Sequence, residues 1–264
     1  MDEVCYLFEL FPLLFFGNRL SGDQKNITIL ITGGSGWLGQ FVYHELQEVL
    51  ASDDYFKNLT EETSTFCCFA IDHNFVQRET HIFDVHITYN KNLPEWISAE
   101  NCHKVDFTSE SDMQSCIDAC RPDIIIHLAA VSSPLMCEKD PDLAMRVNRP
   151  LAFFEIVKRT KPDILFIFTS TDLVYDGEHA PYEVGASLSP LTTYGKTKAA
   201  FEQDVLTLEN GIVLRLSNML GPPFKYQKVG CKFFQFLNEA FATREYIGLL
   251  HDQIRYTANF VFTY

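Results

Sequence analysis

The sequence predicts an α/β fold, a doubly wound parallel sheet, and three observations predict it. Apolar runs of strand length alternate with stretches of helical periodicity, the arrangement that builds a parallel sheet covered by helices. Residues 124–130 (IIIHLAA) and 163–169 (DILFIFT) are continuously apolar, as suits strands buried on both faces. Residues 26–39 (NITILITGGSGWLG) pass from a β-branched run through a glycine-rich turn into a helix. At 264 residues the chain can form one large domain, or one domain with a small appended lobe.

Taken in order, residues 1–25 read as an N-terminal extension. Its apolar part is broken by Glu9 and Pro12 and is too short to span a bilayer, and Asp2 and Glu3 are unlike the basic start of a signal peptide. Residues 27–31 are the first strand, and 41–50 the first helix, with Phe41, Leu46 and Leu50 inward. The second strand has two candidates: 65–71, closed by Asp72, and 81–89, where Ile82, Val85, Ile87 and Tyr89 are its apolar positions. Both lie further from Gly39 than the usual ~20 residues, so an insertion at about 51–80 is expected. Residues 94–98 read as a helical turn and 104–107 as a short strand. Residues 109–120 read as a helix capped by Ser109, with Met113, Cys116, Ile117 and Cys120 on one face. Residues 140–158 are mostly helical, carry Asn148 and are kinked or broken at Pro150. Residues 181–190 are a loop, 193–208 a long helix opening on Tyr194, 212–216 a strand and 232–243 a further helix. A nucleotide-binding unit over 26–220 and a partial second lobe over 221–264 follow.

The net charge of −14 argues against a nucleic-acid surface and against an anionic membrane surface. The eight cysteines have no metal-ligand spacing, so no metal site is expected, and they read as reduced thiols of a cytoplasmic protein. His127, inside an apolar strand, reads as a core histidine.

The chemistry is carried by two stretches. Gly33, Gly36 and Gly39 are spaced G-x-x-G-x-x-G before a helix, which lets the backbone turn sharply and leaves amides of 34–38 free for a pyrophosphate. An acid closing the second strand would hold the ribose of NAD. Closure at 88–91 leaves no such acid, and Lys91 could assist the 2′-phosphate of NADP. Tyr194 and Lys198 lie one helical turn apart. A lysine cation and a positively charged cofactor ring would stabilise the tyrosinate, letting Tyr194 exchange a proton with a carbonyl or alcohol. Ser170 and Thr171, at the carboxyl end of a buried strand, could orient that carbonyl.

Together TGGSGWLG, IIHLAA, MRVN, STDLVYDG, YGKTK and LRLSNMLGPP resemble the extended short-chain dehydrogenase/reductase family, over residues 26 to about 259. Within it the chain is similar to dTDP-4-dehydrorhamnose reductases and to the regulatory beta subunits of methionine adenosyltransferase. The resemblance implies a Rossmann-like domain that binds NADP or NAD. It makes Thr171 the catalytic hydroxyl, Tyr194 the proton donor, Lys198 the ribose contact and Asn148 the helix asparagine of the catalytic group. The pyrophosphate loop becomes Gly33, Gly34, Ser35, Gly36, Trp37, Leu38 and Gly39. Asp106 and Phe107 would meet the adenine, and Leu128, Ala129, Ala130 and Ser217 would line the cofactor. The implied partners are the dinucleotide, a nucleotide-sugar and either a second copy or a partner enzyme.

Two departures from the family stand out. One is the insertion. The other is that the chain ends near HDQIRYTANFV, which resembles the family's D-Q-x-x-x-P-x-x-x-x-D region, so a truncated or alternatively spliced product is expected, with Phe233, Phe236, Leu237 and Leu249 partly uncovered. An intact Thr171, Tyr194 and Lys198 favours a reductase of a nucleotide-linked keto-sugar; an incomplete lobe favours a non-catalytic regulatory subunit. An epimerase or dehydratase is more distant, because Leu173 stands where a dehydratase carries the second acid of a pair.

Overall fold

In the computed structural model, which describes residues 26–51, 82–183, 185–220, 241–243 and 257–259, one sheet organises the molecule. Its strands are β1 (Asn26–Thr32), β2 (Ile82–Tyr89), β3 (Cys102–Lys104), β4 (Ile124–His127), β5 (Leu165–Thr171) and β6 (Gly211–Leu216). They lie side by side as β3-β2-β1-β4-β5-β6, each pair parallel. The helices are α1 (Trp37–Ala51), α2 (Glu110–Cys120), α3 (Pro134–Lys139), α4 (Pro141–Asn148), α5 (Leu151–Thr160) and α6 (Thr193–Val205). Beyond β6, β7 (Asn218–Leu220) pairs in parallel with β8 (Thr257–Asn259). The doubly wound α/β reading therefore stands.

The strand pleat divides the core into two layers. Ile27, Ile29 and Ile31 of β1 join Phe41, Val42 and Leu46 of α1, with Leu165 and Ile167 of β5, on one face. Leu30, with Phe166 and Phe168 of β5, meets Phe153 and Phe154 of α5 and Phe201 of α6 on the other. Strands covered on both faces have no polar side to show, which is why IIIHLAA and DILFIFT do not alternate.

Of the two candidates for the second strand, 82–89 pairs with β1, from Asn26↔Ile82 to Ile31↔Ile87. The other candidate, with the insertion, the N-terminal extension, the uncovered side chains at 233–249 and all of 232–243 except its last three residues, lies outside the described residues. Residues 241–243 are helical. The expected strand at 104–107 sits earlier: β3 ends at Lys104, and after Val105 N–H donates to Tyr89 O the chain turns away. The Asp106 carboxylate then accepts from Thr108 N–H and Oγ1–H at 2.8 and 2.7 Å, closing a turn instead of extending a strand. In place of a turn at 94–98, a 3₁₀ turn spans Ala99–Asn101. α2 is capped by Ser109 and buries Met113, Cys116, Ile117 and Cys120 as the sequence predicts. Pro150 separates α4 from α5.

Candidate functional site

β1 pairs with β2 on one side and β4 on the other, so the connections leave it in opposite directions. Such a switch point opens a crevice at the carboxyl ends of the strands. The glycine turn sits in it. Gly33 has φ 68°, and its N–H donates to Thr88 Oγ1 at 2.8 Å. A Cβ there would lie 2.9 Å from the Ala129 backbone; at Gly34, 2.5 Å from Ile87 Cβ; at Gly39, 2.5 Å from Gly33 O. Packing alone demands those three glycines. At Gly36 the added Cβ would meet only Gly33 O, at 3.0 Å. Gly36 lines the cleft, at the start of α1, whose first turn holds no acidic residue. The first amides of α1 have no partner within the helix, so this end of the crevice can cradle a pyrophosphate.

Of the residues expected at the site, all but Gly34, Lys91 and Asn148 line a single cleft of about 540 Å³. Gly34 packs under β2. Asn148 acts at one remove: fully buried, it accepts from Val131 N–H at 2.7 Å and donates to Thr197 Oγ1 at 3.0 Å, which itself donates to Tyr194 O at 2.7 Å. This ties the loop after β4 to the first turn of α6. A second tie was not legible in the sequence: Glu138 of α3 accepts from Thr193 N–H and Oγ1–H, both at 2.7 Å. Thr88, Asn90, Ser132 and Met219 also line the cleft without having been singled out. Thr88 is the turn's lock, and only the pairing of its strand with β1 reveals that.

His127 is a core histidine, as expected. Thr32 Oγ1 accepts from Leu128 N–H and Ala129 N–H, so its own proton goes to His127 Nδ1 at 2.9 Å. Burial holds the imidazole neutral, with Lys198 adding to the effect, and rings of Phe107, Phe153 and Phe201 surround it.

The reactive end of the cleft is formed by the last residues of β5 and the first turns of α6. Thr171 Oγ1 donates to Asp172 Oδ1 at 3.1 Å and accepts from Leu173 N–H at 3.2 Å. Ser217 Oγ donates to the other Asp172 oxygen at 2.7 Å. α6 is capped by Thr192, which accepts from Gly195 N–H. Tyr194 is pushed up to about 12, mainly by burial and further by Cys137 and Asp172. Lys198 is 2% exposed and pushed down to about 7 by burial, against the opposing pull of Glu202 and Cys137. The expected lowering of the tyrosine by the lysine is therefore absent among the protein's own groups. The Lys198 Nζ lies 4.3 Å from the Phe168 ring centroid, and burial disfavours the charge that would do the lowering.

Among the described residues no helix is long and apolar enough to cross a membrane. The family model of the RmlD substrate binding domain matches residues 27–258. Methionine adenosyltransferase 2 subunit beta of Danio rerio is 27% identical over 218 residues, covering 80% of this chain and 55% of that one. The dTDP-4-keto-6-deoxy-D-glucose reductase of Streptomyces niveus is 31% identical over 170 residues, covering 62% of this chain and 56% of its own length. The chain thus spans about half the length of the curated relatives it matches. Among solved structures, dTDP-4-dehydrorhamnose reductase from Bacillus anthracis str. Ames, determined with NADP, has the same fold: TM-score 0.55 and 24% identity, over 86% of this chain and 64% of that one.

Proposed function

Because the chain belongs to the RmlD substrate binding domain family, we propose that it is an NADP-dependent reductase of a nucleotide-linked keto-sugar. The observation that carries this reading is the continuity of one cleft, from a glycine turn suited to a pyrophosphate to a buried tyrosine and lysine. The residues fit a nicotinamide dinucleotide: Gly36 faces the cleft with no side chain in the way, and Ser170 brings a buried, unpartnered hydroxyl to its wall. When bound, that cofactor supplies the hydride.

The chain's own residues handle the proton and the alignment. Tyr194, held near 12, is a phenol at neutral pH, the form a proton donor needs. Thr171 orients the carbonyl by turning its hydroxyl from Asp172 to the substrate, while Ser217 keeps the far oxygen of Asp172 occupied. Lys198 contacts the ribose one turn below Tyr194. NADP is preferred because β2 ends at Tyr89 and is followed by Asn90 and Lys91, so no carboxylate closes that strand where NAD's ribose would be held.

The similarity to a methionine adenosyltransferase subunit over 80% of this chain supports a second reading, a dinucleotide-binding subunit that docks on a partner enzyme. One assay separates the two: loss of NADPH absorbance with a nucleotide-linked keto-sugar, beside direct NADPH binding. The reductase reading expects turnover that falls by about 10²–10⁴-fold in Tyr194→Phe with dinucleotide affinity nearly unchanged. Tight binding without turnover favours the docking subunit, and no binding sinks both.

A further inference from the structure

Gln40, in the first turn of α1, is fully buried beside Phe41 and Val42, where an apolar side chain is the ordinary occupant. Its carboxamide is only half used. Nε2 donates to Ser35 O at 3.1 Å, while Oε1 has no hydrogen-bond partner among the described residues. A buried amide oxygen left without a donor is destabilising, so packing alone does not account for a glutamine here. What the side chain accomplishes is at Ser35.

The glycine turn uses most of its own polar groups internally. Gly33 N–H donates to Thr88 Oγ1 at 2.8 Å, Ser35 N–H to Thr88 O at 3.4 Å and Gly36 N–H to Gly33 O at 2.9 Å. Gln40 N–H then closes the first turn of α1 on Gly36 O at 3.0 Å. Of the amides expected to face a pyrophosphate, those of Ser35 and Gly36 are thus taken up inside the turn, and the donors left to a phosphate lie at the start of α1. The peptide joining Ser35 to Gly36 is held at both ends, its N–H by Gly33 O and its carbonyl by Gln40 Nε2. Ser35 lines the cleft, whereas Gln40 is buried and is not part of its wall. A bond to Gln40 therefore turns the negative end of that peptide inward. Released, the Ser35 oxygen could swing toward the seat of the phosphates, where it would repel them. We propose that Gln40 is a positioning residue for the dinucleotide, its carboxamide holding the Ser35 carbonyl inward and so keeping that oxygen out of the pyrophosphate's seat. The orphaned Oε1 is the cost of placing a donor at this point in the core.

This deepens the dinucleotide reading of the cleft and rests on it, and the test tells the two apart. NADPH affinity, 2′-AMP affinity and melting temperature are measured on the full chain and on Gln40→Met, which has nearly the same shape and no donor. NADPH is expected to weaken by about fivefold or more in the variant. 2′-AMP, which carries an adenosine end and no pyrophosphate, is expected to bind as it does to the parent. The melting temperature is expected to hold or rise, since the orphaned oxygen is gone. Gln40→Leu, smaller and equally without a donor, stands in if the methionine variant does not fold. A folded variant that binds NADPH as tightly as the parent overturns the proposal and leaves the dinucleotide reading intact; a merely structural glutamine gives that result, with a lower melting temperature. Equal losses for NADPH and 2′-AMP also overturn it, because they mean a disturbed cleft and not a turned carbonyl. A parent chain that binds no NADPH removes the dinucleotide reading, and this inference with it.

Discussion

A Cβ added at Gly39 would sit 2.5 Å from backbone atoms of Gly33 and Gly34, whereas one added at Gly36 would meet only Gly33 O at 3.0 Å. The two glycines therefore answer different demands, and their variants should separate. Gly39→Val is expected to lose stability, because backbone cannot retreat from backbone. Gly36→Val is expected to fold and to lose dinucleotide affinity by about tenfold or more, since its side chain enters the space for phosphate. Thermal melting and fluorescence-detected NADPH binding give both answers, and a folded Gly36→Val that binds as tightly as the parent would remove the phosphate from this turn. The G-x-x-G-x-x-G spacing was legible because it is local. The division of labour among its glycines was not, since it depends on how the turn folds back on itself at Gly39 and on the packing of Gly33 and Gly34 against Ala129 and Ile87, which are distant in sequence.

β2 is the element that the sequence left open. Residues 65–71 and 81–89 both carry strand composition, and what selects 82–89 is a ladder to β1 across more than fifty residues. That pairing brings Thr88, Tyr89 and Asn90 to the cleft in place of Asp72, which on the reductase reading sets the end that would take the adenosine. Lys91 follows, exposed. Reversing its charge tests the NADP preference. Lys91→Glu is expected to weaken NADPH by about tenfold, in line with loss of a hydrogen bond to a charged group, and to leave NADH nearly unchanged. A ratio of affinities equal to that of the parent would show that the 2′-phosphate is not read at this strand end. α3 escaped notice for another reason: at six residues it is too short to show periodicity, although Ser133 as cap and Pro134 in its first turn announce its start.

Across the whole molecule, burial patterns were the readable part of the fold, and electrostatics inside the core the unreadable part. Doubly covered strands reveal themselves by composition, so the parallel sheet and the site at its carboxyl edge could be anticipated. That Lys198 would be 2% exposed, above Phe168 and beside a Glu202–Arg215 pair, could not, because Y-x-x-x-K is equally the spacing of a surface helix. This burial has a consequence for stability. In the unfolded chain a lysine titrates near its ordinary 10.5; folded, Lys198 titrates at about 7. Between these values the unfolded chain binds more protons, so the contribution of Lys198 to stability rises with pH; its cost is complete below 7 and vanishes above 10.5. Raised thiols at Cys102, Cys116 and Cys137 act oppositely from their ordinary value of 9 upward, and Tyr194 from 10 upward, so pH 7 to 9 is the clean window. Lys198→Met replaces a buried charge by an apolar chain among Phe168 and Phe201 and leaves the Glu202–Arg215 pair intact. The variant is expected to melt several degrees above the parent at pH 7 and to lose about half of that advantage by pH 9. Circular dichroism melts across this range measure the gap, and a gap independent of pH would mean that Lys198 carries no depressed charge in the folded chain.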